Sequence, residues 1–149
     1  MADAFIAENK KAYFDYEILD KYEAGIILLG HEVKAVKAGN ISLKGAFITF
    51  HNGEAYLTGA HIGKYKQAGG IKDYDPERSR KLLLKTKEIR YISAKKDEKG
   101  LTIVPTRVYT KHSKIKVEIA VGKGKKHYEK KEKIKARDIE RDIKRTLKS

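Results

Sequence analysis

The sequence predicts a mainly β protein in which a small antiparallel β-barrel, closed or nearly closed, carries inserted helices and is followed by a basic C-terminal tail. Two observations lead to this prediction. Several short segments alternate apolar and polar residues with the period of a half-buried strand. The last 28 residues instead hold 12 Lys/Arg against 5 Asp/Glu and few apolar side chains. We therefore divide the chain into a domain over residues 1–121 and a tail over residues 122–149.

Two strands are predicted in the first thirty residues. In Tyr13–Leu19, the apolar side chains of Phe14, Tyr16 and Ile18 alternate with acidic ones, as in a strand with one buried face. Gly25–Leu29 is short, apolar and rich in β-branched and leucine side chains, which is typical of a strand buried on both faces.

A helix is predicted next, over His31–Ala38. Val33 and Val36 have helical spacing there, and Gly39 suits the position after the last helical residue, where a left-handed backbone is common.

A β-hairpin follows this helix. The apolar segments Phe47–Phe50 and Glu54–Ile62 flank His51, Asn52 and Gly53. Asn-Gly between two such segments favours a type I′ turn, because both central residues of that turn need a positive φ.

A second helix is predicted to begin at Asp75-Pro76-Glu77. Asp is a good N-cap, Pro suits the first helical position, and an acid there faces the positive end of the helix dipole. The apolar pattern then runs through Leu82–Leu84 and Ile89 towards Gly100, with a break near Lys85–Lys87.

Two further strands complete the domain. Leu101–Tyr109 contains Pro105, which cannot donate to a ladder and so indicates an edge or a bulge. In Lys114–Val121 the apolar side chains alternate regularly with Lys114, Lys116 and Glu118, which are predicted to face outwards.

Charge indicates a nucleic-acid partner. The chain carries a formal net charge of +14, of which the tail supplies +7, so the preceding residues are basic too. Such a balance is typical of phosphate-backbone binding, although a Lys-rich solvated surface is the alternative. There are no cysteines, and the 5 histidines lack metal-ligand spacing, so we expect no metal and no cofactor. No apolar stretch is long enough for a membrane span, and we expect a cytoplasmic monomer.

The tail is predicted to be disordered when free and helical on a polyanion. Ile139, Ile143 and Leu147 form a narrow apolar stripe, whereas the like charges of Arg137, Arg141 and Arg145 repel one another until phosphates neutralise them. A merely solvated tail is the alternative.

Three tyrosines in Lys- or Gly-rich surroundings could stack on unpaired bases. They are Tyr65, Tyr74 and Tyr128. Packing roles within the domain stay open for Tyr65 and Tyr74.

Four segments in this order resemble the small protein B family, the tmRNA-binding (SsrA-binding) proteins of bacterial trans-translation. They are Asn9-Lys10-Lys11-Ala12 with Asp15-Tyr16, Glu23-Ala24-Gly25 through Gly30-His31-Glu32-Val33-Lys34, Asp75-Pro76 with Arg80-Lys81-Leu82-Leu83-Leu84, and Gly124-Lys125-Lys126. The resemblance implies an oligonucleotide-binding (OB)-type barrel that grips the tRNA-like domain of tmRNA. It also implies delivery to stalled ribosomes with elongation factor Tu, and no enzymatic activity.

The resemblance further implies two groups of functional residues. The surface for the tRNA-like domain would contain Asn9, Lys10, Lys11, Glu32, Lys34 and Lys37. The tail would enter the 16S rRNA decoding centre and the empty mRNA channel through Gly124, Lys125, Lys126, His127, Tyr128, Lys130, Lys131, Lys135 and Arg137.

The sequence departs from the family pattern at three positions. Phe14 stands where the family usually has His, Tyr128 where it has the base-stacking His, and Lys131 where it has Arg. Either Tyr128 or His127 would supply the stacking ring. Two other interpretations remain, a permanent ribosomal component and a general single-strand binder, while an enzyme has no supporting cluster of residues.

Overall fold

The computed structural model describes residues 4–65 and 73–125, which form nine strands and three helices. Their bounds are β1 Ala4–Glu8, α1 Lys10–Asp15, β2 Tyr16–Ile26, α2 Gly30–Lys37, β3 Ile41–Ser42, β4 Phe47–His51, β5 Glu54–Thr58, β6 His61–Ile62, β7 Arg80–Leu83, α3 Thr86–Lys96, β8 Leu101–Lys111 and β9 Lys114–Gly124. Seven strands form one antiparallel sheet in the order β1-β8-β9-β2-β7-β5-β4, and β3 pairs with β6. The predicted mainly β class with inserted helices is confirmed.

The sheet is open rather than closed. Within the described part of the chain, β1 and β4 are its two edges, and β4 forms ladder hydrogen bonds with β5 alone. The predicted barrel is therefore nearly closed at most. The gap lies between β4 and β8, where α1 and the end of α3 stand beside the two strands.

The core is built from side chains of the sheet and of the helices α2 and α3. β9 contributes Ile115, Val117, Ile119 and Val121, as its alternation predicted. Each fully buried aliphatic side chain of this size stabilises the fold by about 1.5–3 kcal/mol. Other elements add Ala24, Val36, Ile48, Leu57, Ile62, Leu82, Ile92 and Ile103.

The predicted turns and the first helix are confirmed. α2 ends before Gly39, whose φ is 86°, and Asn52 and Gly53 have φ values of 52° and 75° in the β4–β5 turn. Pro105 lies at a bulge, since the β8–β9 register shifts between Pro105 and Arg107.

The helix predicted from Asp75 is wrong in its first half. The Asp75 carboxylate accepts from the Glu77 amide at 2.9 Å and closes a turn rather than capping a helix. β7 follows and pairs with both β2 and β5. In β7, Arg80 and Leu82 are buried and Leu83 is exposed, so burial alternates from one residue to the next as in a strand. The helix begins only at Thr86, close to the predicted break.

The N-terminal elements also differ from the prediction. β1 and α1 were not predicted, and Phe14 lies in α1 rather than in a strand. A single β2 contains the end of the first predicted strand and only Gly25 and Ile26 of the second. Ile27 and Leu29 lie beyond β2 and are 49% and 47% exposed, so the prediction of a strand buried on both faces is wrong there. No helix in residues 4–65 and 73–125 is long and apolar enough to cross a membrane.

Candidate nucleic-acid interface

A buried carboxylate organises the region around α2. Glu32, 0% exposed, accepts from Arg80 Nε at 3.0 Å and Nη2 at 2.6 Å, and from the Tyr74 hydroxyl at 2.9 Å. Arg78 donates to both carboxylate oxygens, and the Leu29 amide donates at 2.8 Å at the start of the helix. Because its side chain is fully buried, Glu32 connects α2 to the neighbouring elements from inside the domain.

The arginine pair keeps this carboxylate ionised. Burial by itself would raise the pKa of Glu32, but the hydrogen bonds from Arg78, Leu29, Arg80 and Tyr74 outweigh it and lower the pKa to about 2. Arg80 is also 0% exposed and donates to the carbonyls of Ala60 and Pro76 at 2.8 and 2.9 Å. The cluster thus joins α2, β7 and the 74–78 turn into one unit.

The opposite side of α2 presents lysines. Lys34 and Lys37 are exposed, and the Lys34 ammonium lies 5.9 Å from the centre of the Tyr65 ring. Because Glu32 fixes the inner face of the helix, these two cations have a defined place on the surface.

Asn9 has a similar supporting role at α1. It is 8% exposed; its side chain accepts from the Ala12 amide at 3.3 Å as the N-cap and donates to the Pro105 carbonyl at 3.0 Å. The backbone N–H of Asn9 donates to the Thr106 carbonyl at 2.8 Å. These bonds attach the start of α1 to the bulge of β8, and Lys10 and Lys11 stand exposed on the helix.

Tyr65 and Tyr74, two of the three tyrosines predicted to stack on bases, have packing contacts within the domain. The Tyr74 hydroxyl donates to Glu32 and to the Ile62 carbonyl, and the Tyr74 ring meets His31 edge-on at 4.6 Å. Burial, followed by the bond to Glu32, raises the pKa of Tyr74. Tyr65 is partly buried against the core. The packing alternative therefore holds for Tyr74 and accounts for much of the Tyr65 surface.

A second buried carboxylate lies on the sheet. Glu118 was predicted to face outwards, but Thr106 and Arg107 cover it, with donor distances of 2.7 Å from Thr106 Oγ1 and 3.0 Å from each of two Arg107 nitrogens. Burial would raise the pKa of Glu118, and these donors lower it instead. Both buried acids are thus neutralised internally, which leaves exposed lysines to set the surface potential.

The start of the tail is attached to α1. Gly124 ends β9, and the Lys125 amide donates to the Asp15 carbonyl at 2.9 Å while its ammonium donates to the Tyr13 carbonyl at 3.0 Å. The remaining predicted tail residues lie outside the described residues, as does the predicted tail helix. These residues are Lys126, His127, Tyr128, Lys130, Lys131, Lys135 and Arg137.

Sequence reasoning missed the roles of Arg78 and Arg107. A signal for Arg80 existed, because a strand reading of Arg80–Leu83 places it on the buried face with Leu82, and a buried arginine needs a carboxylate. In the part of the chain that the structure describes, no three His, Asp or Glu side chains could hold a metal ion.

Similar proteins share both the sequence and the fold. The model of the SmpB protein family matches residues 6–149. The SsrA-binding protein of Sulfurihydrogenibium sp. is 51% identical over 148 residues, which cover 99% of this chain and 97% of the relative. The SsrA-binding protein of Oleidesulfovibrio alaskensis is 49% identical over 144 residues, which cover 97% of this chain and 92% of the relative. A solved chain from "tmRNA-SmpB: a journey to the center of the bacterial ribosome" is 43% identical with a TM-score of 0.68, covering 81% of this chain and 85% of that chain.

Proposed function

The chain belongs to the SmpB protein family, and we propose that it binds the tRNA-like domain of tmRNA (SsrA RNA) and delivers it to stalled ribosomes for trans-translation. The observation that carries this proposal is similarity at about half of all positions over nearly the whole chain, domain and tail together. The basic surface is the physical support, since contacts to phosphates dominate RNA affinity.

Two kinds of residue make up the proposed tmRNA surface. Lys10, Lys11, Lys34 and Lys37 are exposed and would contact phosphates. Asn9 and Glu32 are buried and hydrogen-bonded within the protein, so we assign them the positioning of α1 and α2 rather than direct contact.

The tail proposal goes further along the chain. The basic residues 122–149 would enter the decoding centre and the vacant mRNA channel, with His127 or Tyr128 stacking on a base. Delivery would involve elongation factor Tu, and the protein would act in the cytoplasm as a monomer. It would have no enzymatic role, because it works by positioning an RNA.

A gel-shift titration at two salt concentrations tests the proposal. The RNAs are the tRNA-like domain of tmRNA, an elongator tRNA and a random single strand. Tight binding to the first that survives higher salt, with weak binding to the others, is expected. Equal and strongly salt-sensitive binding to all three would contradict specific recognition and favour a general single-strand binder.

Paired variants test the surface itself. Lys34→Met with Lys37→Met should lower the slope of log affinity against log salt by roughly two, one for each lost phosphate contact. The control is Lys87→Met, an exposed lysine of α3 outside the proposed surface, which should leave the slope unchanged. If the two variants have equal slopes of log affinity against log salt, the α2 lysines do not contact the RNA phosphates.

A further inference from the structure

A cleft marks the place where the open sheet fails to close. Its walls are β4 on one side and β8 on the other, with α1 and the last turn of α3 at its ends. It has a volume of about 370 Å³, which is within the range of small-ligand sites.

The cleft combines an apolar floor with an exposed ring. Ala12, Ile48 and Val104 are buried side chains along its floor. Phe47 also lines the cleft and is 43% exposed at the edge of the sheet. An exposed aromatic ring next to buried apolar side chains provides a surface on which a base can stack.

Two cations line the same cleft. Lys11 enters it from α1 and Lys96 from α3, and the Lys96 ammonium lies 5.5 Å from the centre of the Phe50 ring of β4. Neither ammonium forms a salt bridge within residues 4–65 and 73–125. Asp15 also lines the cleft, so its described lining holds two cations and one carboxylate.

The edge of β4 adds hydrogen-bonding groups. In the described residues, the backbone groups of β4 that point away from β5 have no strand partner. An unpaired strand edge offers alternating donors and acceptors. Stacking surface, cations and free backbone groups are the three features that hold an unpaired nucleotide.

We propose that this cleft binds one unpaired nucleotide of the RNA that the chain recognises, with the base against Phe47 and the flanking phosphates at Lys11 and Lys96. The inference rests on the proposed function, because Lys11 belongs to the surface assigned to the tRNA-like domain. The two lysines outnumber Asp15 in the lining, so the net positive charge favours a nucleotide over an uncharged ligand. The opening at a sheet edge lets the RNA strand pass through.

Affinity and salt dependence separate the two contacts. Phe47→Ala should weaken binding to the tRNA-like domain about tenfold or more with the salt slope unchanged, since it removes stacking and no charge. Phe47→Tyr keeps an aromatic ring and should bind the tRNA-like domain as tightly as the unaltered chain. Lys96→Met should instead lower the salt slope by roughly one. Phe5→Ala, at a phenylalanine 61% exposed on β1, and Lys99→Met are the matched controls and should change neither quantity.

Photo-crosslinking identifies the occupant. The full chain carrying p-benzoylphenylalanine at position 47 should crosslink to an unpaired nucleotide of the tRNA-like domain, and the same group at position 5 should not. Unchanged affinity in Phe47→Ala, or crosslinks confined to paired nucleotides, would overturn the cleft proposal and leave tmRNA binding intact. If the unaltered chain does not bind the tRNA-like domain, the proposed function and this inference fail together.

Discussion

Glu32 shows how one residue determines the geometry of a surface that it does not reach. Its carboxylate is fully buried and is held by two arginines, a tyrosine and a backbone amide. Removing one partner of a buried ion pair leaves the other uncompensated, at a cost of about 3–5 kcal/mol. We therefore attribute the importance of this position to the placement of α2, whose exposed lysines carry the proposed contacts.

Acid should release this stabilisation. The pKa of Glu32 is about 2 in the folded protein against 4.5 for the free side chain. A lowered pKa stabilises the fold above pH 4.5, and the contribution is lost as the pH falls towards 2. The ionised Glu32 carboxylate contributes about 3 kcal/mol to the free energy of unfolding at pH 7, and about 2 kcal/mol of this contribution is lost at pH 3.

The comparison of Glu32→Gln with the unaltered chain isolates this group. In urea unfolding at pH 7, the free energy of unfolding of the variant should be lower than that of the unaltered chain by about 3–5 kcal/mol. At pH 3 this difference in free energy should be smaller by about 2 kcal/mol. Glu17→Gln, at an exposed position of β2, should stay within about 0.5 kcal/mol of the unaltered chain at both pH values. If the difference in free energy of unfolding between the two chains is the same at pH 3 as at pH 7, the ionised Glu32 carboxylate is not the stabilising group.

Sequence reasoning selected Glu32 but could not give it this role. Its partner Arg80 is 48 positions away, and only the pairing of β7 between β2 and β5 brings the two side chains together. The family resemblance marked the position. A local pattern can indicate that Arg80 is buried, but it does not show which carboxylate is buried with it. The same limit applies to Glu118, whose alternation indicated a solvent-facing side chain.

Elements with strong local signals were predicted well. The hairpin at Asn52-Gly53 and the strand β9 follow from turn chemistry and period-two alternation alone. β7 was missed because Asp75-Pro76 is as good a turn as it is a helix start, and a strand of four residues is too short for its period to decide. Its conformation is set by its two neighbouring strands.

α1 is the element that most depends on distant contacts. It has only six residues, too few to be stable alone, and both of its ends are held by other parts of the chain. Asn9 caps its start, and Lys125 donates to the Tyr13 and Asp15 carbonyls at its end. Lys125, the first residue after β9, therefore also caps the end of the helix beside the proposed cleft.

Removal of the Lys125 ammonium should loosen α1. Lys125→Met loses the bond to the Tyr13 carbonyl and should cost about 1 kcal/mol in urea unfolding. Amide hydrogen exchange should quicken in Lys10–Asp15 and stay unchanged in β5. Lys123→Met, an exposed lysine two positions earlier, is the charge-matched control. Equal exchange rates in the two variants would exclude a capping role for Lys125.

At the scale of the whole molecule, domain and tail are joined by a strand rather than by a free linker. We predicted the boundary after Val121, and it stays a prediction, but β9 continues to Gly124. Gly122, Lys123 and Gly124 pair with Ile18, Glu17 and Tyr16 of β2, and Leu101 and Thr102 of β8 lie on their other side. Gly122 serves close packing, because a Cβ at this position would lie 2.9 Å from that of Tyr16.

Two truncations should therefore behave differently. A chain ending at Lys125 keeps every described pairing and should retain its melting temperature and its binding to the tRNA-like domain at higher salt, while failing to tag nascent chains on stalled ribosomes in a translation assay. A chain ending at Val121 loses the end of β9 and the cap of α1, so its melting temperature should fall by several degrees. Its RNA affinity should fall too, since α1 belongs to the proposed surface. If the chain ending at Lys125 lost its RNA affinity entirely, the tail rather than the domain would be the tmRNA-binding part, and the division of labour between them would be the reverse of the one proposed.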